Sequence, residues 1–401
     1  MLTNKKITLY VSGSIAVYKS LSLLRLLIKK GNQVTVVMTK AATEFVTPLT
    51  FMTLSKQTVY TDEFKVESAS DVNHIKIADE TDLAIVAPAT ADLIAKMANG
   101  IADDIASSAL LATTAPIYVV PTMNTHMLEN PATKRNIRTL REDGIQLMDS
   151  ATGFLAEGYE GKGRMPEPVD IVSWLEVMEL SVTKQLQGKK IIVTAGGTKE
   201  RIDPVRYLSN DSSGKMGYAI ARVAQRAGAE VILMTGKTSL SRPTGMKIID
   251  IESAAELFNA VKDAFTDADG LIMAAAVADF RPLTTAKQKI KKNDDNDLMN
   301  ISLTKNPDIV AEIGKIKRSN QFVVGFAAET NDLLENATKK MLKKHLDLIV
   351  ANDVANINIG FNSDDNQVTF IFKNGQQIQT PIESKLAIAT ELINVIGEQI
   401  I

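Results

Sequence analysis

The sequence predicts an α/β chain organised as two tandem domains, each built on a parallel sheet. Three observations predict it: the length, an alternation of short β-branched runs with amphipathic stretches, and a restart of that alternation midway. At 401 residues the chain exceeds what one ordinary core fills and suits two domains of about 190 residues each. Strands alternating with helices imply parallel pairing through right-handed crossovers.

Taken in order, residues 7–11 read as a strand, 16–30 as a helix with Leu21, Leu24 and Leu27 at helical spacing, and 33–38 as the second strand. Residues 83–87, a helix near 91–97, and 117–120 continue the pattern. A helix over 169–186, stopped at Gly188, forms the join and sets the expected domains at 1–187 and 188–401. The second half restarts at 190–194 and continues through 217–227, 230–235, 254–264, 271–276, 321–325 and 346–351. Alternation over 364–378 around Asn374-Gly375 reads as a terminal hairpin.

Composition bounds the function. A net charge of −2 gives nucleic acid no electrostatic footprint, and no apolar run approaches the ~20 residues of a membrane span. The strand at 7–11 begins too early to leave room for a signal peptide, so the cytoplasm is the expected location. With no cysteine in the chain, disulfides, thiolate metal sites and a thiol nucleophile are excluded. Residues 287–297 are polar and dense in charge, which on composition alone reads as a solvated loop.

Two glycine loops carry the chemistry. The first strand runs into Ser12-Gly13-Ser14-Ile15-Ala16, so backbone N–H groups and two hydroxyls face the N-terminus of the next helix, where a phosphate fits. Steric need alone also gathers Gly and Ser at such turns. The loop is not G-x-G-x-x-G, and the next strand ends in Thr39-Lys40 instead of a ribose-binding acid. A nicotinamide dinucleotide is therefore disfavoured, and FMN, with one terminal phosphate, suits better. The second loop, Thr194-Ala195-Gly196-Gly197-Thr198, opens no helix directly; residues 199–213 intervene before Gly214-Lys215-Met216-Gly217. Thr235-Gly236 again offers no acid, and no P-loop is present. The Gly196-Gly197 pair and Ser212-Ser213-Gly214 then read either as anion-binding concavities or as structural turns. Lys289, Lys291 and Lys292, with Lys339, Lys340, Lys343 and Lys344 at i, i+3, i+4 spacing, supply cations that repel one another without an anionic ligand and suit a triphosphate. Asp279 is placed to hold a ribose, to help position a metal, or simply to cap a helix or turn.

Further motifs carry a family resemblance. Gly13-Ser14-Ile15-Ala16, His74, Pro88-Ala89-Thr90, Pro121-Thr122-Met123-Asn124 and the glycine-rich run from Gly153 to Met165 resemble the flavin-dependent cysteine decarboxylases. Thr194 to Thr198, Asp203 to Asn210, Ser212 to Gly217, Ala275 to Asp279, Lys289 to Lys292, Asn306-Pro307-Asp308-Ile309 and Gly325 to Thr330 are similar to phosphopantothenate–cysteine ligases. Together they resemble the bifunctional bacterial coenzyme A biosynthesis family across essentially the whole chain. The resemblance implies two Rossmann-like domains, an N-terminal flavodoxin-like sheet and a C-terminal doubly wound sheet ending in the hairpin.

It also implies two reactions. The C-terminal domain would activate 4′-phosphopantothenate with CTP and Mg²⁺ as an acyl-cytidylate, which cysteine captures as an amide. The N-terminal domain would decarboxylate that product to 4′-phosphopantetheine using FMN, which oxidises the thiol side and so gives the departing carboxylate an electron sink. Gly13, Ser14, Ile15, Ala16, Thr39, Pro88, Ala89, Thr90 and Met123 are the implied flavin neighbours. His74 is the implied general base, although a lone histidine is often a surface residue. Asn124 would grip the substrate carboxylate, or else cap a helix before Pro131.

One position departs from the family, which places a cysteine proton donor where this chain has Glu157. Glu157 replaces it only if burial or neighbours raise its affinity for a proton; otherwise water supplies the proton, or the ligase works beside an impaired or altered decarboxylase. For the ligase, Asn210 would stabilise the acyl-cytidylate, Arg206 help discharge it, and Lys289 close over the triphosphate. Gly196, Gly197, Ser212, Gly214, Ala275, Asp279, Asn306, Pro307, Asp308, Ile309, Phe326, Lys340 and Lys344 complete the substrate and nucleotide site, with Asp279 toward the metal. The family also implies a homododecamer of decarboxylase trimers joined through ligase dimers, with His74 reaching a neighbour's flavin. A nicotinamide oxidoreductase and a regulatory flavoprotein are the rival readings; the first lacks its ribose acids, and Asn210 and Lys289 in a full ligase-like domain speak against the second.

Overall fold

The computed structural model describes residues 2–64, 72–180, 182–291, 299–329, 333–353 and 363–401. It divides into two compact units between residues 180 and 181. Among the described residues no helix is long and apolar enough to cross a membrane.

The first unit opens with β1 (Lys6–Val11), α1 (Val17–Lys29), β2 (Gln33–Met38), α2 (Lys40–Thr43), α3 (Pro48–Ser55) and β3 (Val59–Tyr60). Next come α4 (Asn73–Asp79), β4 (Leu83–Ala89), α5 (Ala91–Asn99), α6 (Ile105–Ala112) and β5 (Ile117–Pro121). It closes with α7 (Thr125–Glu129), α8 (Pro131–Glu142), β6 (Gln146–Leu147), the hairpin β7 (Ala151–Phe154) and β8 (Glu160–Arg164), and α9 (Pro168–Met178). The sheet order is β3-β2-β1-β4-β5-β6, all parallel. Without the two-residue edge strand β3 this is the 2-1-3-4-5 order of flavodoxin-like sheets, whose switch point falls between β1 and β4.

The strand period decides the layers. Ile7, Leu9 and Val11 face Leu23, Leu24 and Leu27 of α1, while Tyr10 faces Leu93, Ile94 and Ala106 across the sheet. Each such buried leucine contributes about 1.5–3 kcal/mol over its exposed state. β4 is buried throughout, as a strand covered on both faces must be. Thr90 caps α5 and an Asp104–Ser107 capping box starts α6, so both helix starts after β4 are set by local side chains.

The expected join helix over 169–186 is shorter. α9 stops at Met178, because its two ends serve different cores. Ile171, Val172 and Leu175 belong to the first unit's core, whereas Leu186 is fully buried and its N–H donates to Ala227 in the second unit.

The second unit begins with β9 (Lys190–Ala195), the hairpin β10 (Lys199–Arg201) and β11 (Tyr207–Ser209), α10 (Lys215–Arg226), β12 (Glu230–Thr235) and β13 (Lys247–Asp250). α11 (Ala254–Phe265), β14 (Gly270–Met273), the pair β15 (Phe280–Pro282) and β16 (Leu303–Lys305), α12 (Ile309–Ile316) and β17 (Phe322–Glu329) follow. α13 (Leu333–Lys343), β18 (Leu348–Asp353), β19 (Asp365–Asn366), β20 (Val368–Phe372), β21 (Gln377–Gln379), β22 (Glu383–Ser384) and α14 (Lys385–Gln399) end it. The main sheet runs β13-β12-β9-β14-β17-β18-β20-β21. It is parallel as far as β18 and closes with the antiparallel β20-β21 hairpin.

The expected strand over 271–276 is cut short at Met273. Beyond it the chain leaves the ladder, since the N–H groups of Ala275 and Ala278 donate to the hydroxyls of Thr194 and Thr198, both at 3.0 Å.

Candidate functional site

In the first unit the switch point between β1 and β4 is where the turn residues gather. Ser12 donates its hydroxyl to Pro88 O at 2.7 Å and accepts from Thr90 N at 2.9 Å, which ties the end of β1 to the end of β4. Thr39 N donates to Val11 O at 3.0 Å, and the Thr39 side chain caps α2. Ala89 O accepts from Thr122 N at 2.9 Å, linking in β5. A Cβ at Gly13 would stand 2.5 Å from the Ala41 Cβ, so only glycine lets this turn lie so close to α2. The N–H groups of Gly13, Ser14 and Ile15 take no acceptor among the described residues.

Beside this turn lies a cavity of ≈ 450 Å³ lined by Ser14, Ile15, Ala16, Met123, Asn124 and Glu157, among others. Six residues singled out in sequence thus share one space. Thr39, Pro88, Ala89 and Thr90 stand behind it at the strand ends and do not line it. Asn124 does two things at once: its Oδ1 accepts from His126 N at 2.8 Å, capping α7, and its Nδ2 donates to Tyr159 Oη at 2.5 Å. The cap is therefore real but belongs to α7; the helix starting at Pro131 is capped by Asn130.

The hairpin β7-β8 is fastened to that loop through glycine. Met123 N donates to Gly163 O at 3.0 Å, and Gly163 has φ +127 with its missing Cβ only 2.1 Å from Met123 O. Gly163→Ala is expected to cost at least ~1 kcal/mol from the backbone conformation alone and to free the hairpin. Limited proteolysis checks it: faster cleavage between residues 154 and 160 is expected, and an unchanged rate would remove this contact as the fastening. Glu157 sits at the hairpin tip with its side chain exposed.

Lys19 went unnoticed in sequence. It is 4% exposed, lines the cavity, and its Nζ donates to Met165 O at 2.7 Å and to Glu167 Oε1 at 2.9 Å. The signal was its place one turn before Leu23 on the apolar stripe of α1. His74, on the first turn of α4, lies outside the cavity lining, with Nδ1 2.8 Å from Glu63 Oε1. Glu63 also went unnoticed, since nothing in its local pattern announces a partner in another element.

In the second unit, Gly196 and Gly197 follow β9 and are stitched to the end of β14: Ala276 N donates to Gly196 O at 2.9 Å, and Gly197 bridges Ala276. Asn210 Nδ2 donates to Val277 O at 3.0 Å, and Asn306 Nδ2 to Ala278 O at 2.8 Å. Asn306 N donates to Asp279 O at 2.8 Å. The 275–279 segment is thus the hub around which Gly197, Asn210, Asp279 and Asn306 assemble. Asn210, Ser212, Gly214, Ala275 and Phe326 line a second cavity of ≈ 170 Å³. Pro307 precedes Asp308, which caps α12 ahead of Ile309.

Two expectations about charge are refined. Lys344 Nζ lies 3.0 Å from Asp308 Oδ2, so a carboxylate offsets part of the lysine repulsion that the spacing alone left to a ligand. Arg206 is held by Asp203, its Nε and Nη2 donating to Oδ2 at 3.0 and 2.6 Å, and Nη2 also donates to Ile290 O at 2.8 Å. Ile290 N in turn donates to Asp203 Oδ2 at 3.1 Å, which pins the loop carrying Lys289. The Arg206 guanidinium first, then the N–H groups of Val205, Arg206 and Ile290, hold the Asp203 carboxyl well below the usual carboxylate range against the opposing effect of burial. Lys289 itself is exposed, and Lys292 lies outside the described residues. No three His, Asp or Glu side chains converge as a metal cluster among the described residues.

A flavodoxin-type edge cavity followed by a second, glycine-stitched α/β site defines a two-domain flavoprotein, and the family models agree. Residues 1–178 match the Flavoprotein model, and residues 186–400 match the DNA/pantothenate metabolism flavoprotein C-terminal domain. The coenzyme A biosynthesis bifunctional protein CoaBC of Bacillus subtilis is 48% identical over 99% of this chain and 98% of its own length. That of Escherichia coli K12 is 43% identical over 96% and 94%. A solved C-terminal domain of a protein of the same name is 40% identical, covering 54% of this chain and 97% of that one, with a TM-score of 0.46. The chain belongs to the family of bifunctional coenzyme A biosynthesis proteins.

Proposed function

We propose that this protein carries out two consecutive steps of coenzyme A biosynthesis, as phosphopantothenate–cysteine ligase in its second unit and phosphopantothenoylcysteine decarboxylase in its first. The observation that carries the reading is the match of both domain types in one chain over nearly the full length of the relatives.

FMN is the flavin the first unit suits. The turn at Gly13, Ser14 and Ile15 offers three N–H groups without an acceptor among the described residues, at the switch point where such sheets take a phosphate. When bound, FMN supplies the two-electron oxidation that makes loss of the carboxylate possible. Asn124 presents an amide donor to the substrate carboxylate from a position fixed by its own capping bond. His74 acts as general base, held through Nδ1 by Glu63, and reaches the flavin of a neighbouring subunit in a trimer.

The hairpin would exclude water, and Glu157 would be the donor of the proton taken up by the carbon that has lost the carboxylate. Its exposure at the hairpin tip means that the desolvation a carboxyl donor needs comes with substrate and closure. Glu157→Gln is expected to lower 4′-phosphopantetheine formation about tenfold or more, within the ~10²–10⁴ range of general-acid effects. Wild-type rates would transfer the proton to water.

In the second unit the triphosphate of CTP lies against Lys289, Lys340 and Lys344. Asp279, Asn306, Pro307, Asp308 and Ile309 form the nucleoside side. Mg²⁺ is held by Asp279 together with the substrate phosphates, its usual mode where no protein cage exists. Asn210 orients the activated acyl group, and Arg206 serves its discharge to cysteine by fixing the loop. The enzyme works in the cytoplasm on small molecules, without nucleic acid or membrane, as a homododecamer of decarboxylase trimers linked through ligase dimers. Incubation with 4′-phosphopantothenate, cysteine and CTP tests the whole reading. CMP, pyrophosphate, CO₂ and 4′-phosphopantetheine are expected; accumulation of the amide would leave the ligase alone.

A further inference from the structure

Asn124 lines the ≈ 450 Å³ cavity of the first unit, and both ends of its amide are engaged. A backbone N–H can only donate, so the bond from His126 N at 2.8 Å fixes Oδ1 on the α7 side and leaves Nδ2 as the donating end. Nδ2 carries two N–H groups. One goes to Tyr159 Oη at 2.5 Å, and the other has no acceptor among the described residues. The torsion that turns an asparagine amide has a broad, shallow preference. A capping bond alone therefore lets the amide swing, and a second partner at the donor end stops it.

That partner is not needed to fasten the hairpin. Met123 N donates to Gly163 O at 3.0 Å and Thr125 Oγ1 to Lys162 O at 2.6 Å, so β8 is already tied to the chain on either side of Asn124. Tyr159 is itself well placed. Its carbonyl accepts from Leu155 N at 2.9 Å across the hairpin tip, where Gly158 takes φ +89, and its ring stands tilted against that of His126, with centroids 6.4 Å apart. Tyr159 does not line the cavity, so its hydroxyl reaches the reaction through Asn124.

We propose that Tyr159 is a positioning residue for the departing carboxylate: its hydroxyl holds the Asn124 amide so that the remaining N–H faces the carboxylate of 4′-phosphopantothenoylcysteine. The set amide serves only a ligand that bears that carboxylate. Once CO₂ has left, the product finds no acceptor of its own for the donor, so the pair distinguishes substrate from product. The inference rests on the decarboxylase reading and adds to it a residue of the hairpin that acts on binding of the carboxylate, apart from the proton donor two positions before it.

Steady-state CO₂ release by the full-length protein from 4′-phosphopantothenoylcysteine tests it, with 4′-phosphopantetheine as product inhibitor. Tyr159→Phe keeps the ring and removes only the hydroxyl. It is expected to raise KM about fivefold, the effect of losing one ordinary hydrogen bond. The inhibition constant of 4′-phosphopantetheine stays within about twofold, bound flavin is retained, and proteolysis between residues 154 and 160 is no faster. Asn124→Ser keeps a capping oxygen for α7 and drops the amide; adding Tyr159→Phe to it moves KM by less than about twofold, since the two residues act as one. An unchanged KM in Tyr159→Phe overturns the inference. So do equal losses for substrate and product with faster cleavage of the hairpin, which would make Tyr159 a fastener, and so do additive effects in the double variant. A wild-type protein that releases no CO₂ overturns the decarboxylase reading together with it.

Discussion

Replacing Lys289 with glutamine is expected to lower ligation turnover by about 10²–10³-fold, the scale of losing one preorganised group aimed at developing charge, while decarboxylation of supplied substrate continues at the wild-type rate. The backbone of its loop is anchored on both sides. Ala286 N donates to Ile202 O at 3.0 Å and Thr285 Oγ1 to Arg201 O at 3.0 Å before it, and Ile290 is held by Asp203 and Arg206 after it. The side chain alone projects into solvent. Glutamine keeps a polar donor on a somewhat shorter stem and removes the charge. The separate compact units make the two activities independent; an equal fall in both, measured as CMP release and CO₂ release, would contradict that independence.

His74→Asn is expected to lower decarboxylation about 10²–10⁴-fold, the usual worth of a positioned general base, with the absorbance of bound flavin retained. His74 is half-buried on the first turn of α4, its Nδ1 2.8 Å from a Glu63 carboxylate oxygen, and it does not line the cavity beside the Gly13–Ile15 turn. Asparagine occupies similar space without a proton to exchange. Loss of flavin colour along with activity would make His74 a cofactor ligand; unchanged CO₂ release would remove it from the chemistry. Glu63→Gln gives a smaller fall and shifts the pH profile, which separates positioning of the imidazole from a merely structural contact.

The central strands of the main sheets were legible because they are buried on both faces and bounded by turn residues, whereas the edge strands β3, β6 and β13, short or half-exposed, were not. The glycine loops after β1 and β9 were legible for the same reason, since close backbone approach demands glycine. The small hairpins β10-β11 and β15-β16 were not. At three residues per strand they carry no period, and what defines them is antiparallel backbone pairing that no local pattern announces. The join helix was overread because apolar spacing does not report which core each turn serves.

Site residues divide similarly. Ser14, Asn124, Asn210 and Asp279 sit in motifs that turns and resemblance expose. Lys19 and Glu63 meet partners 146 and 11 residues away, and no local pattern marks those pairings. Lys19 itself still left a trace, a cation where the helix pattern calls for an apolar residue.

The tie between Asp203 and Arg206 has a consequence under acid. A carboxyl whose folded pKa is depressed adds stability that is present above its unfolded value and is lost only as pH falls through the folded one. For Asp203 that lower limit lies well beneath the ordinary carboxylate range. The loop bearing Lys289 therefore stays moored through mild acid, where phosphate monoester dianions are already taking up a proton. Any fall in ligation on the acid side of neutrality belongs to the substrates, or to groups other than this clasp.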